Sequence, residues 1–426
     1  MIVEFSVQNF RSIKELQTIS FVATGLKSSK ENILVDGNNI VKKENISLFK
    51  TIGLYGANAS GKSNIIKALD YFIKAITKEP GSSSHLGLLC DPFLFQKEPE
   101  KTESFFQIVL IINNKKYRYG LTVKKNLHPM PDEPNEPYSD EIITHEWLFG
   151  PKEKKTVKLF NRKNKDVVNN LPNKDSIPPI PYDHSLFISH VAAFDQNSIC
   201  QNIRGYFKGL TTSSINNNHE KYRRISINYI SHKEQIEEEN VFKFLNFLSS
   251  FNLSYKEAIL EKKPDKELVY PQEKISFKKL VKTSNTLFER ELNLYKNESS
   301  GTQKLFDLAG LLLRAFRLPI PAFIILDEID SNFHPFLVIK LIELFNNPKI
   351  NKSNSQLLFT SHDTNLMSPK IMRRDQFYFT EKKEDESTRL YSLSDLKGIR
   401  NDADFAKQYL AGYYGAIPVL NDFIEE

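Results

Sequence analysis

Gly56, Gly61, Lys62 and Ser63 stand at the spacing G-x-x-x-x-G-K-[ST] within YGANASGKSN, residues 55–64. The chemistry of that spacing is phosphate binding. Successive backbone N–H groups of such a loop, from Gly56, Ala57, Asn58, Ala59, Ser60, Gly61, Lys62, Ser63 and Asn64, can turn inward on an anion. The glycines let the backbone approach, and the positive end of the following helix adds its field. Lys62 is placed to reach the β- and γ-phosphates, and Ser63 to put its hydroxyl on Mg²⁺. A chance Gly/Ser turn is the alternative, and the flanks argue against it. Ile52, Leu54 and Tyr55 read as a short strand before the loop; Ile65, Ile66, Leu69, Phe72, Ile73 and Ile76 follow with the period of an amphipathic helix.

A second set of groups lies more than 200 residues on. Asp327 and Glu328 directly follow the apolar run FIIL, so both carboxylates are expected at the C-terminal end of a buried strand. There Asp327 can hold Mg²⁺ through water or Ser63, and Glu328 can polarise an attacking water as general base. The bland alternative is a strand ending in solvated acids. QLLFTSHD ends a further apolar strand with Ser361, His362 and Asp363, and a histidine at that position can donate a hydrogen bond to a γ-phosphate. In ESSGTQKLFDLAGLLLRA, Ser300 and Gly301 open a long helix whose first N–H groups are unpaired, a second anion site. It serves either the same nucleotide or that of a neighbouring protomer.

The elements that must position these groups can be read more coarsely. A chain of 426 residues, 40% hydrophobic and 26% charged, is long enough for one large α/β domain with an insertion, or for two domains. The longest apolar stretch, 305–326, is broken by Asp307, Arg314, Arg317, Pro319 and Pro321, so no membrane span is expected. MIVEFSVQNF carries Glu4 and alternates like a strand, unlike a secretory signal. Cys90 and Cys200 are the only cysteines, too few for a disulfide framework, and a cytoplasmic location is expected. The net charge of +6 allows nucleic-acid contact without requiring it. Glu103 to Val123 reads as a hairpin turning at Asn113 and Asn114; 124–183 reads as loops; Val241, Phe244, Leu245 and Leu248 mark a helix with the acidic run 237–239 near its start.

The set YGANASGKS, ESSGTQ, FIILDEIDSNFHP and TSH resembles the ABC-class ATPases of the SMC, RecF and OLD type, with ESSGTQ similar to their signature motif. The resemblance implies an α/β, ABC-type P-loop NTPase fold: a mixed, largely parallel core sheet, an antiparallel β-subdomain and a largely helical insertion. It implies ATP and Mg²⁺ as ligands and a homodimer with two nucleotides sandwiched between the heads. By matching positions, Ser300 and Gly301 would contact the γ-phosphate in trans, with Gln303 of the same motif in the nucleotide-binding set. Asp330 would lie in the loop crossing the dimer seam, and His362 would be the switch histidine. NFRS, residues 9–12, resembles the family's N-terminal strand motif and implies Arg11 near the nucleotide; Gln96 is the candidate for the family's metal-linked glutamine. MIVEFSVQNFRSIKELQTISFVA, RRDQFYFTEK and YLAGYYGAIP further resemble the AbiLi/RloA group, AAA_15-type ATPases of bacterial abortive infection. That group is encoded beside an effector of the RloB or TOPRIM nuclease type. The division expected is an N-terminal ATPase lobe, 1–125, an insertion, 126–290, loop-rich and then helical, and a C-terminal lobe, 291–426.

Three functions fit this reading. The first is a regulatory ATPase of anti-phage defence that controls a toxic partner; a switch of this kind needs a differential grip on its two states. The second is an SMC/RecF-like ATPase that clamps DNA through lysines such as those of KEKKTVKLFNRKNK, residues 152–165. The third, an intrinsic nuclease, would rest on Asp402 and Asp404 in NDADFAK, but no apolar strand precedes them.

Overall fold

The structure is a computed structural model that describes residues 1–43, 45–78, 86–127, 140–153, 155–209, 211–212, 219–232, 235–261, 274–283 and 286–418. Its centre is a six-stranded sheet in the order Thr211–Thr212, Phe323–Leu326, Gln356–Thr360, Thr51–Gly56, Phe377–Lys382, Thr388–Ser392. The first five strands run parallel and the last antiparallel. The fold is thus α/β with a mixed, mainly parallel core sheet. FIIL, QLLFT and TIGLYG are buried at every position, as continuous apolar runs are when both faces of a sheet are covered.

Alternate residues of these strands feed two cores. Ile52, Leu54, Phe323, Ile325, Leu358 and Tyr378 join one; Tyr55, Ile324, Leu326, Leu357, Phe359, Phe377 and Phe379 join the other. The first core holds the Lys62–Thr77 helix between the central sheet and a seven-stranded antiparallel sheet. Phe72 of that helix stacks on Phe106 and Tyr119 with centroids 5.9 and 5.8 Å away. The second core packs the Ser300–Ala315 and Pro335–Asn346 helices.

The antiparallel sheet runs Asp166–Asn169, Lys155–Lys163, Glu141–Lys152, Lys115–Lys125, Ser104–Ile112, Ile2–Gln8, Gln17–Ser20. Its hairpin turns at Asn113 and Asn114, with φ of 49° and 60°, the left-handed pair that asparagine tolerates. Three of its strands occupy 141–169, where the sequence reads as loops. The physical reason is an inward-facing ion pair. Glu146 and Arg162 are both fully buried in the strands, so positions that should carry apolar residues carry charges. Glu146 also accepts the backbone N–H groups of Phe187 at 2.7 Å and Ile188 at 2.9 Å, closing the start of the Phe187–Phe194 helix.

The expected helix near Val241 is observed as Glu238–Ser249, with Glu238 and Glu239 in its first turn. It is preceded by the His219–Ile230 helix and followed by a three-stranded sheet, Glu257–Glu261, Lys274–Lys282 and Leu287–Asn293. Cys90 and Cys200 are buried free thiols. Among the described residues, no helix is long and apolar enough to cross a membrane.

Candidate active site

In a parallel sheet the strand ends point their loops to one edge, and that geometry assembles the site. Thr51–Gly56, Phe323–Leu326 and Gln356–Thr360 are adjacent and parallel, so the loops carrying Lys62, Asp327 with Glu328, and His362 leave the sheet at the same side.

The phosphate loop has the backbone its composition requires. Gly56 and Gly61 have φ of 147° and 107°, and Ala59 sits at 61°. A Cβ on Gly56 would come within 2.4 Å of the Thr380 carbonyl oxygen, and one on Gly61 within 2.1 Å of Thr388 Oγ1, on the strand paired with that of Thr380. Glycine is therefore required at both positions. Lys62 is 7% exposed, and its Nζ donates to the carbonyls of Gly56 at 2.8 Å and Ala57 at 2.9 Å. Burial pushes its pKa down to about 8 against the opposing pull of Asp327, Glu328 and Asp330. Asn64 Nδ2 donates to Ser12 Oγ at 2.8 Å, and Ser60 Oγ is 2.6 Å from Thr380 Oγ1.

At the neighbouring strand ends, Thr360 Oγ1 donates to Asp327 Oδ1 at 2.5 Å and accepts the Glu328 N–H at 2.7 Å. Glu328 has φ of 51°, a left-handed conformation unusual outside glycine. Asp330 Oδ2 accepts the His362 backbone N–H at 3.1 Å, while its Oδ1 is buried without a hydrogen-bond partner among the described residues. Burial, and secondarily the charge of Lys62, hold the His362 imidazole below its usual pKa.

The helix at the second anion motif begins at Ser300, and Ser299 caps it by accepting the Thr302 N–H at 3.2 Å. Ser300 is exposed. The same helix start packs on the loop beyond the carboxylates. A Cβ on Gly301 would lie 2.7 Å from the Asn332 carbonyl oxygen, and Lys304 Nζ donates to the Ser331 carbonyl at 2.6 Å. Gln303 Nε2 donates to the Glu298 carbonyl.

Arg11 and Gln96 have other neighbours. Arg11 pairs with Asp91 at 2.9 Å and lies over the rings of Phe10 and Tyr71. Gln96 Nε2 donates to Asn9 Oδ1 at 2.7 Å and Thr102 Oγ1 at 3.2 Å. It is Ser12, beside Arg11, that touches the phosphate-loop helix, through Asn64. Asp402 pairs with Arg400, and Asp404 caps the Phe405–Leu410 helix through the Lys407 N–H. Sequence reading missed Thr360, Ser12, Thr380 and Thr388. Only Thr360 left a trace, as a hydroxyl ending an otherwise apolar strand.

The fit to a triphosphate with Mg²⁺ rests on three features: a glycine cradle that any Cβ would fill, a buried lysine that follows it, and two carboxylates at the end of a parallel strand one removed from the phosphate-loop strand. Ser63 and Asp327 could hold the metal through oxygen.

The fold of the SMC head domain from Thermotoga maritima matches with a TM-score of 0.43 at 14% identity, covering 92% of this chain and 98% of that one. At that distance the likeness carries no argument. No curated protein matches the sequence. The AAA_21 family, described as "AAA domain, putative AbiEii toxin, Type IV TA system", matches over residues 52–368, and this span runs from the phosphate-loop strand past His362. Covering well over half of the sequence, that match establishes that the chain belongs to this family of AAA-domain ATPases.

Proposed function

We propose that the chain is an ATP-binding and ATP-hydrolysing regulatory subunit of an anti-phage, abortive-infection system of the AbiLi/RloA kind. In this reading it acts in the cytoplasm as a dimer with ATP held between two heads, and it controls a toxic effector of the RloB or TOPRIM nuclease type. The observation that carries the reading is the arrival of Lys62, Asp327, Glu328 and His362 at one edge of adjacent parallel strands. The family's description, which names a putative toxin of a toxin–antitoxin system, supports a place in a system of that kind.

Lys62 gives up its loop carbonyls to the β- and γ-phosphates. The glycine loop supplies backbone N–H groups, which cost no reorganisation because Gly56 and Gly61 already hold the required φ. Ser63 and Asp327 would hold Mg²⁺, which would supply charge to neutralise the phosphates. Glu328 orients and deprotonates the water, and the neutral imidazole of His362 donates to the γ-phosphate. Ser300, Gly301 and Gln303 serve the partner's nucleotide, with Asp330 at the seam. Loss of the γ-phosphate changes the grip between heads, and that change is passed to the effector.

The test is affinity purification of Glu328→Gln with Mg·ATP, followed by mass measurement of the assembly. A dimer that retains a nuclease or toxin supports the proposal. A wild-type chain that stays monomeric at saturating Mg·ATP overturns the sandwich. One surface favours a second reading: the Lys155–Lys163 strand exposes Lys155, Lys158 and Lys163 on the outer part of the antiparallel sheet. Duplex DNA as the sole companion, lost steeply with salt, would identify a DNA-clamping ATPase instead.

A further inference from the structure

The phosphate loop is braced from beneath by residues that lie outside the family-matched segment, at both ends of the sequence. Thr388 Oγ1 donates to the Ser60 carbonyl at 3.1 Å and is 2.7 Å from Ser12 Oγ. A hydroxyl has one hydrogen to give. With Thr388 spending its own on Ser60, Ser12 must donate to Thr388, and Asn64 Nδ2 in turn donates to Ser12 at 2.8 Å. The direction of the whole chain is thereby fixed: Asn64 to Ser12 to Thr388 to the carbonyl of Ser60. The Thr388 N–H also donates to the Ser12 carbonyl at 2.7 Å, locking the two segments together. A parallel chain runs from Ser60 Oγ to Thr380 Oγ1, which donates to the Tyr55 carbonyl at 3.3 Å. Ser60, Thr380 and Thr388 are each no more than 2% exposed.

The consequence follows from peptide planarity. The carbonyl of Ser60 and the N–H of Gly61 belong to one trans peptide and point in opposite directions. Holding the carbonyl down on Thr388 turns the Gly61 N–H to the far side of the loop. The Thr388 side chain also fills the space beneath Gly61, where a Cβ would meet its Oγ1 at 2.1 Å.

We propose that Thr388, held by Ser12, is the positioning residue that sets the Ser60–Gly61 peptide for phosphate binding. This rests on the nucleotide-binding reading above. The test compares the affinity for a fluorescent ATP analogue, steady-state turnover and melting temperature in wild type, Thr388→Val, Thr388→Ser and Ser12→Ala. Thr388→Val keeps the shape and loses the hydroxyl, so affinity is expected to fall about ten-fold, with turnover at saturation within about two-fold of wild type. Thr388→Ser is expected to restore affinity, which separates the hydroxyl from methyl packing. Unchanged affinity in a folded Thr388→Val protein overturns the proposal, as does a Thr388→Ser protein as weak as the valine variant. Should Thr388→Val fail to fold, Ser12→Ala decides: a several-fold loss of affinity supports the brace, and wild-type affinity overturns it. A wild-type chain that binds no analogue at all overturns the nucleotide reading itself.

Discussion

Thr360 and Asp327 are joined by a hydrogen bond of 2.5 Å from Oγ1 to Oδ1, and the same hydroxyl oxygen accepts the Glu328 N–H at 2.7 Å. The strand register brings the two together: Leu326 lies opposite Phe359, so Asp327, just past its strand, comes beside Thr360, the last residue of the neighbouring one. Thr360 is fully buried, and its carbonyl accepts the Ile329 N–H at 3.0 Å. One threonine therefore spans the turn in which Glu328 adopts φ of 51°, a conformation that costs of order 1 kcal/mol or more in a non-glycine residue.

Thr360→Val should consequently slow turnover. A hydrogen bond to a charged group contributes about 1.5–3 kcal/mol, and losing the hydroxyl frees the Asp327 carboxylate and the Glu328 backbone to reorient. The expected result is a fall in kcat of about ten-fold or more, since each 1.4 kcal/mol is a factor of ten. Nucleotide affinity should change little, and Thr360→Ser should recover most of the rate. Parallel turnover and binding measurements on the two variants check this.

Nucleotide affinity should weaken above about pH 8 through Lys62. Its folded-state pKa is lowered to about 8 by burial, so the ammonium is complete only below that value. Bound phosphates favour the charged form, so binding takes up a proton once the free lysine has lost its own. Affinity is expected to be flat below pH 8 and then to fall toward ten-fold per pH unit. The same depression means that protonated Lys62 is a burden on the fold, relieved as pH rises from about 8 toward the ordinary lysine value of 10.5. Titration of the analogue's affinity from roughly pH 6.5 to 9.5, either side of the Lys62 midpoint of about 8 in the nucleotide-free protein, gives the answer. A flat profile would show that Lys62 is not the group being titrated.

Arg162→Met should destabilise the fold by about 3–5 kcal/mol, because it leaves the buried carboxylate of Glu146 without its cation. Glu146 already has its pKa raised, by burial before all else, with Arg162 pulling the other way. A raised carboxylate contributes stability present below its unfolded pKa and lost as pH rises through the folded value. Removing Arg162 lifts the folded value further. The variant's deficit relative to wild type should therefore be smaller near pH 5 than near pH 8, where melting curves at the two pH values, about one unit above the carboxylate reference and well beyond it, are compared.

The parts of the site that sequence revealed are those where chemistry and local backbone coincide. Gly56, Gly61 and Lys62 carry their own loop, and Asp327 and Glu328 directly follow a strand whose apolar run is continuous. What stayed hidden depends on contacts across the chain. Thr388 meets Ser12 across more than 370 residues, and a threonine in TRLYS carries no mark of that meeting. Glu146 and Arg162 hid strands by placing an ion pair where alternation calls for apolar side chains. Ser299 rather than Ser300 caps its helix, a choice between adjacent serines that only geometry decides.

That choice has a consequence for the proposed dimer. Because Ser299 supplies the cap, the exposed Ser300 side chain is free of any duty in holding the helix. Ser300→Arg should leave the melting temperature close to that of wild type, since surface substitutions away from caps and cores usually stay within about 0.5 kcal/mol. It should nonetheless abolish ATP-dependent association if that helix start closes over the partner's nucleotide. Gly301→Ala should behave differently. Its Cβ would press on the Asn332 carbonyl at 2.7 Å, in the loop that Lys304 grips at Ser331 and that also carries Asp330. Strain there reaches the site of the same chain, so Gly301→Ala should impair even the monomer's nucleotide binding. Light scattering with and without Mg·ATP, alongside binding of the analogue, separates the two variants. A Ser300→Arg chain that still dimerises with ATP would move the interface elsewhere on the molecule.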